Sequence, residues 1–158
     1  MQIKKCRLCN NNDLKLILNL KPTPVADDFV GENKLSDAQQ TYPLDLFVCK
    51  HCGHVQLGYV VDPNILFKDY VYISSISTSL LKHFELTSSE MIDRLKLGEK
   101  DLVVDIGSND GSFLSFFKDA GINVIGIDPA VEIAKTANDS GIETISEFFT
   151  LSVANSII

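Results

Sequence analysis

The sequence predicts an α/β fold in which a small β-rich module precedes the first half of a parallel sheet. Three observations predict it. Two Cys-x-x-Cys pairs lie in the first third of the chain, a long amphipathic segment follows them, and short apolar runs then alternate with helical patterns around a glycine-rich loop. We expect the module to occupy residues 1–75, a linking helix residues 76–98, and the parallel-sheet region residues 99–158.

Composition and charge narrow the classes of function. The chain has 158 residues, of which 45% are hydrophobic, and its formal net charge is −7. Because lysine and arginine number only 14 and are spread along the chain, we expect no nucleic-acid-binding face. No apolar run approaches the roughly 18 residues of a membrane span, and no signal peptide precedes the cysteines. We therefore expect a protein of the reducing cytoplasm with no membrane partner, and the sequence leaves its oligomeric state open.

The four cysteines predict a metal site. They form two pairs with two-residue spacers, which are Cys6 with Cys9 and Cys49 with Cys52. Such a spacer lets both sulfurs of a pair face one ion, and four thiolates in two pairs are typical of a closed structural zinc site. Iron suits the same four-sulfur cage. Disulfides and a redox dithiol are the alternatives, and we expect His51 and His54 to lie outside the ligand set.

The module is predicted to be stabilised mainly by this metal. Strands are expected at residues 15–20, 44–48 and 55–61, and the prolines at positions 22 and 24 favour an extended segment. A unit of this size buries little apolar surface, so bound zinc is expected to supply much of its folding free energy.

A helix and a three-strand pattern follow the module. Apolar residues recur at helical spacing between residues 77 and 96, and we expect Ser77 or Thr78 to cap this helix and Gly98 to end it. The expected core stripe is Leu80, Leu81, Phe84, Met91, Ile92 and Leu95. Strands are predicted at 102–106, 123–127 and 142–145. Helices are predicted at 112–120 and 150–158. A further helix is predicted to have Pro129 at its first position and to end before Gly141. Three parallel strands would leave one sheet edge unpaired.

The loop from Gly107 to Gly111 lies where ligands of such sheets bind, at the carboxyl end of a strand. A dinucleotide fingerprint needs glycine at the third and sixth positions, which here are Asn109 and Ser112. The neighbouring carboxylates of Asp105 and Asp110 would repel a pyrophosphate. They suit a ligand with a positive end and no phosphate, such as S-adenosylmethionine.

An acidic residue follows the second predicted strand. Asp128 lies where a carboxylate can accept hydrogen bonds from ribose hydroxyls, about 20 residues after the glycine loop. Another nucleotide, or a plain α/β turn with solvated acids, remains an alternative for the whole stretch.

Several motifs follow one another along nearly the whole chain, and they are the cysteine pairs, Pro22–Phe29, Tyr42–Leu44, Gly53–Leu57, Tyr70-x-Tyr72-x-Ser74-Ser75 and Ile106–Gly111. Their order resembles that of one family, the zinc-containing sugar C-methyltransferases that act on nucleotide-linked deoxysugars. The resemblance implies a zinc module joined to a Rossmann-like domain that binds S-adenosylmethionine. It also implies methyl transfer to a sugar carbon beside a ketone.

The resemblance also implies roles for particular residues. Contacts with the methionine part of the cofactor are expected from Gly107, Asn109, Asp110 and Gly111, with Asp105 beside them. Asp128 would hold the ribose, Glu147 or Phe148 would border the adenine, and Tyr72 would line the sugar site as a catalytic or orienting residue. A buried tyrosine with a satisfied hydroxyl is the alternative for the last of these.

One departure from the family bears on activity. Its acid–base histidine and glutamate, and its nucleotide-sugar domain, have no counterpart in these 158 residues. We therefore interpret the chain as the N-terminal, truncated part of such an enzyme and expect it to be inactive alone. A non-catalytic, zinc-stapled binding or assembly module is the alternative.

Overall fold

The computed structural model describes residues 1–157 and divides the chain into two compact units, with the boundary between residues 66 and 67. The sequence places the end of the metal module near residue 75 and separates a linking helix from the sheet region. This three-part division stays a prediction. Among the residues that the structure describes, no helix is both long enough and apolar enough to span a bilayer.

The first unit contains an antiparallel sheet in the order β1-β2-β3. Its strands are β1 (Leu14–Leu18), β2 (Leu46–Cys49) and β3 (Val55–Leu57), and the short helix α1 (Pro63–Phe67) follows. The third strand is shorter than predicted. It ends before Gly58, where the ring of Phe47 lies so close that a Cβ atom would be 2.3 Å from it. The segment containing Pro22 and Pro24 is extended, since Thr23 forms an antiparallel bridge with Tyr42.

The second unit contains a parallel sheet in the order β4-β5-β6. Its elements are a 3-10 turn (Ser74–Ile76), α2 (Thr78–Leu95), β4 (Leu102–Ile106), α3 (Ser112–Asp119), β5 (Asn123–Ile127), α4 (Val131–Asp139), β6 (Thr144–Ile145) and α5 (Leu151–Ile157). The predicted α/β class is confirmed, and β4 and β5 have the predicted bounds. This order of strands and helices is that of a Rossmann-like half sheet.

Two helix-boundary predictions are wrong. The structure ends α2 at Leu95, and Lys96 takes the left-handed conformation with φ of 58°, so Gly98 is not the terminating residue. Helix α4 begins at Val131 after Ala130, so Pro129 precedes the helix instead of opening it. The predicted cap at the start of α2 is confirmed, because the Ser77 hydroxyl accepts a hydrogen bond from the backbone N–H of Leu80 at 3.3 Å.

The core of the second unit lies between the sheet and its helices. Leu114 of α3, Ala137 of α4 and Ile142 form a buried cluster, against which Val103 and Val124 of the sheet pack. The other sheet face is open along β4, where alternate side chains remain exposed. These are Leu102, Val104 and Ile106.

The predicted core stripe of α2 is only partly correct. Met91 and Leu95 are exposed, whereas Phe84 contacts Phe113 of α3 with ring centroids 4.9 Å apart. The reason is geometric. An eight-residue helix is about 12 Å long at 1.5 Å per residue, so α3 covers less than half of the 18-residue α2.

Candidate functional site

The four cysteine sulfurs come together in the first unit. All four Sγ atoms lie within 4.8 Å of one another. The closest pairs cross between the two motifs, with 3.6 Å between Cys6 and Cys52 and 3.7 Å between Cys9 and Cys49. Zn–S bonds of about 2.3 Å in a tetrahedron place sulfurs about 3.8 Å apart. A disulfide needs about 2.05 Å. The donor set therefore fits a four-thiolate zinc ion and not two disulfides.

Backbone geometry aims the first pair of sulfurs. The N–H of Cys6 donates to the carbonyl of Asn11 at 2.8 Å, and the N–H of Asn10 donates back to the carbonyl of Cys6 at 2.9 Å. Asn10 has φ of 60°, in the left-handed region where asparagine is among the few tolerated side chains. The chain thus turns sharply after Cys9, and both thiols of the pair face one point.

The second pair repeats this turn. Cys49 donates to the carbonyl of His54 and Gly53 donates to the carbonyl of Cys49, each at 2.8 Å. Gly53 has φ of 76° and occupies the place that Asn10 has in the first turn. The left-handed role of Asn10 was not predicted from the sequence. An asparagine directly after a Cys-x-x-Cys pair was the available signal.

Gln56 of β3 is not a metal ligand, but its side chain holds the turn that contains Cys6 and Cys9. Its side chain is buried, with Oε1 accepting from the N–H of Arg7 at 2.8 Å and Nε2 donating to the carbonyl of Lys5 at 3.1 Å. The amide therefore joins the strand after the second pair to the backbone around the first pair. Sequence analysis did not assign this role to Gln56.

Without a cation the thiols of the site differ in how readily they ionise. The backbone N–H of Cys9 lowers the pKa of the Cys6 thiol to about 7. The pKa of Cys9 is raised to about 12, because the lowering effect of the N–H of Asn11 is outweighed by burial and by the neighbouring thiols. Four thiolates at these distances require a positive ion, which supports metal binding.

In the second unit, the glycine loop is held at the carboxyl end of the sheet. The N–H groups of Gly107 and Ser108 both donate to the carbonyl of Ile127, at 2.8 and 3.2 Å. Gly107 has φ of 81°, and a Cβ atom there would meet nothing within 4 Å. The Ser108 hydroxyl lies over Gly126, where a Cβ atom would be 2.5 Å from it. The loop thus packs against β5 through Ser108, whereas the space where a Gly107 side chain would be is open.

Asp128 lies at the same edge. It is 8% exposed, its Oδ2 accepts from the N–H of Asn109 at 2.9 Å, and its Oδ1 accepts from the N–H of Ala130 at 2.9 Å. Each carboxylate oxygen has two lone pairs, so both keep capacity for a further donor. The predicted ribose-binding acid therefore stands beside the loop with a fixed orientation.

Asp105 is the second acid of this edge. It occupies the position in β4 that pairs with Gly126 of β5. Burial, and the negative charge of Asp128, raise the pKa of Asp105 above its ordinary value. The carboxylates of Asp105 and Asp128 thus lie close enough to repel each other.

The side chains of the other two polar loop residues, Asn109 and Asp110, bond to the backbone of residues 72–75. The side chain of Asn109 accepts from the N–H of Ser74 and donates to the carbonyl of Tyr72, both at 2.9 Å. Asp110 accepts from the N–H of Ser75 at 3.0 Å through Oδ2. Two motifs that the sequence analysis treated separately are therefore bound to each other.

Asp110 also caps α3. Its Oδ1 accepts from the hydroxyl of Ser112 at 2.6 Å and from the N–H of the same residue at 3.2 Å. The pKa of Asp110 is lowered, because hydrogen bonds from Ser112 and Ser75 outweigh the opposing effect of burial. Its predicted contact with a methionine group stays a prediction, and the structure gives both of its oxygens protein partners.

The remaining predicted residues lie around this edge. Tyr72 is 44% exposed and its carbonyl is bound by the loop. Gly111 is the left-handed residue before α3, with φ of 77°. Glu147 and Phe148 follow the carboxyl end of β6, where Glu147 is exposed and Phe148 is half-buried. The predicted cofactor residues therefore come from consecutive strand ends of one sheet.

Comparison with known proteins gives two matches. Residues 6–67 match a family model described as "Putative zinc binding domain", which spans all four cysteines. The chain is 36% identical over 155 residues to the C-methyltransferase NovU of Streptomyces niveus. That alignment covers 98% of this chain and 37% of that protein, so the chain spans a little over a third of the length of its curated relative. The four-cysteine site, the parallel α/β sheet and this similarity along the chain support its assignment to the N-terminal part of a zinc-containing C-methyltransferase.

Proposed function

We propose that the second unit carries the first part of an S-adenosylmethionine site. We further propose that the whole protein transfers a methyl group to a carbon of a nucleotide-linked keto-deoxysugar. The cofactor and substrate class come from the family resemblance. The observation that carries the cofactor proposal is the pair of acids, Asp105 and Asp128, beside the open backbone at Gly107.

The electrostatics of this edge favour a cation. A pyrophosphate in the same place would meet two carboxylates, and the unfavourable interaction would grow in the low dielectric of a partly buried site. A ligand with an ammonium and a sulfonium group would instead offset the burial and the repulsion by Asp128 that together raise the pKa of Asp105. The glycine loop lets a ligand approach its backbone closely, because Gly107 has no side chain and nothing lies within 4 Å of where its Cβ atom would be.

Each residue then has a defined task. Asp128 accepts hydrogen bonds from the ribose hydroxyls, Gly107 admits the methionine part against its backbone, and Glu147 and Phe148 border the adenine. The cofactor, when bound, supplies a methyl group on a positively charged sulfur. Asn109 of this loop binds the carbonyl of Tyr72, and this contact supports a role for the Tyr72 phenol in orienting a substrate or donating to a developing oxyanion.

Calorimetric titration of the 158-residue chain with S-adenosylmethionine tests the cofactor proposal. We expect binding by the wild type and by Asp119→Ala, which removes an exposed carboxylate at the end of α3. Asp128→Ala should weaken binding by roughly tenfold or more. Because this change also leaves two backbone N–H groups without their acceptor, the milder Asp128→Asn serves as a second variant, and circular dichroism checks the fold.

A neutral analogue tests the electrostatic argument. Methylthioadenosine keeps the adenine and ribose but lacks both positive groups. Asp105→Asn should weaken S-adenosylmethionine binding while leaving that of methylthioadenosine nearly unchanged. Equal losses for the two ligands, or tighter binding of a pyrophosphate-containing dinucleotide, would contradict the proposed cofactor. A folded chain that binds none of these ligands would favour a non-catalytic assembly module.

The activity of the chain by itself is a separate question. Since the acid–base residues of the resembling family have no counterpart here, we expect no methyl transfer from the pure chain. Methylation of a nucleotide-linked keto-deoxysugar by these 158 residues, followed by mass spectrometry, would overturn this expectation.

A further inference from the structure

The segment before α2 has little structure of its own. Residues 70–73 belong to no helix or strand, and only the 3-10 turn Ser74–Ile76 separates them from the capped start of α2. The rings of Tyr70 and Tyr72 are tilted by 58° with 6.5 Å between their centroids, so they do not stack. The position of Tyr72 must therefore be set by contacts from elsewhere in the unit.

Those contacts come from two adjacent residues of the glycine loop. Asn109 bonds the carbonyl of Tyr72 and the N–H of Ser74, and Asp110 bonds the N–H of Ser75. Three hydrogen bonds thus span about four residues of the segment. The backbone N–H of Asn109 meanwhile donates to Asp128, so one residue joins the Tyr72 segment to the acid at the end of β5.

The chemistry of position 109 fits this task closely. The residue has φ of 52°, which favours glycine or asparagine. Of glycine, asparagine and aspartate, which tolerate this φ best, only asparagine can both accept from Ser74 and donate to Tyr72. Glycine would keep the turn and lose both bonds, whereas aspartate would keep the first bond and set a carboxylate against a carbonyl oxygen.

We infer that Asn109 and Asp110 are positioning residues for Tyr72, which hold the Tyr72–Ser75 segment against the glycine loop and so fix where the phenol stands relative to a ligand there. This inference rests on the proposed function for the importance of that ligand. The hydrogen bonds themselves do not depend on it. Both residues act through the segment and not by touching the reacting groups.

Nuclear magnetic resonance of the full chain provides the test. In Asn109→Gly the amide of Ser74 should exchange with solvent roughly tenfold faster. The ring signal of Tyr72, assigned through Tyr72→Phe, should move towards that of an unstructured tyrosine. The amide of residue 109 should keep its slow exchange, because the turn and the bond to Asp128 use only the backbone. Asn109→Asp should preserve slow exchange at Ser74 and still displace the Tyr72 signal, and it serves if the glycine variant does not fold.

A matched control separates positioning from stabilisation of α2. Ser77→Ala removes the cap of that helix without touching the loop, so Leu80 should exchange faster while the Tyr72 signal stays in place. An unmoved Tyr72 signal in folded Asn109→Gly would overturn the inference. If the wild type binds no adenosylhomocysteine, the cofactor proposal fails, and the Tyr72 signal alone decides whether Asn109 positions it.

Discussion

Among the described residues, the first unit buries the apolar side chains of Cys6, Tyr42 and Cys49, whereas the second unit buries a continuous set around Leu114 and Phe117. Two of these three buried apolar side chains are cysteines of the metal site. The first unit therefore depends on an ion to hold its two turns and its short strands together. The second depends on helix-to-sheet packing, and polar contacts among its loops then shape the site.

Metal removal is expected to break the first unit and spare the second. Zinc contributes roughly 10–16 kcal/mol of apparent folding free energy in small four-ligand sites. Excess chelator should therefore make residues 1–66 sensitive to protease while the parallel sheet stays resistant. Limited proteolysis followed by mass spectrometry locates the cleavages, and elemental analysis confirms that the metal is gone.

Two controls accompany this experiment. Added zinc should restore resistance, and His51→Ala should keep its metal, since the four sulfurs form the site without an imidazole. An unchanged cleavage pattern in metal-free protein would mean that packing alone holds the first unit, and the comparison between the units would fail.

The converse experiment targets the core of the second unit. Phe117 is fully buried, and truncation to alanine should cost about 3–5 kcal/mol in the free energy of unfolding. Phe149 is 46% exposed, so Phe149→Ala should cost far less. Urea unfolding measured by circular dichroism compares the variants. Both should retain stoichiometric zinc, and loss of zinc from Phe117→Ala would show that the units are not independent.

Much of this architecture follows from local patterns in the sequence. Alternation of apolar runs and helical spacing gave the bounds of β4 and β5 and the cap at Ser77, because these features depend on neighbouring residues. Helix ends were less accurate. Lys96 adopts a left-handed conformation that glycine usually takes, and the local pattern pointed to Gly98.

The candidate site shows where such reasoning stops. Cysteine spacing was enough to predict that the four sulfurs come together. Each Cys-x-x-Cys pair is a local pattern, and one shared metal ion explains why the two pairs meet. The partners of Asn109 and Asp110 lie 35 to 37 positions away in the sequence, and no periodicity reports such contacts. A carboxylate that the motif suggested for a ligand, Asp110, is thus engaged within the fold.

Gln56 offers a smaller test of how the first unit is organised. Its amide holds the backbone on either side of Cys6, so Gln56→Ala should leave the N–H of Arg7 and the carbonyl of Lys5 unpaired. Outer partners of this kind typically contribute about 10–100-fold to metal affinity. Competition with a chromophoric chelator measures the change, with Gln39→Ala as the exposed control. Equal affinities for the two variants would show that the turns need no support from β3.

The smallest effect is expected at Asp105, and its sign differs from the others. Because the pKa of Asp105 is raised in the fold, the folded state binds more protons than the unfolded state between the two pKa values. The free energy of unfolding therefore falls as the pH rises through that interval. Below the ordinary aspartate pKa of about 3.9, both states are protonated and the penalty is absent.

Asp105→Asn should accordingly be more stable than the wild type at pH 7, and the gain should vanish below about pH 4. Urea unfolding at the two pH values measures it, with Asp119→Asn as the exposed control. A gain in stability together with weaker S-adenosylmethionine binding would mean that Asp105 destabilises the second unit but contributes to ligand binding. A loss at pH 7 would instead assign Asp105 a favourable contact within the fold, and the packing of the second unit would then depend on the charges of its site.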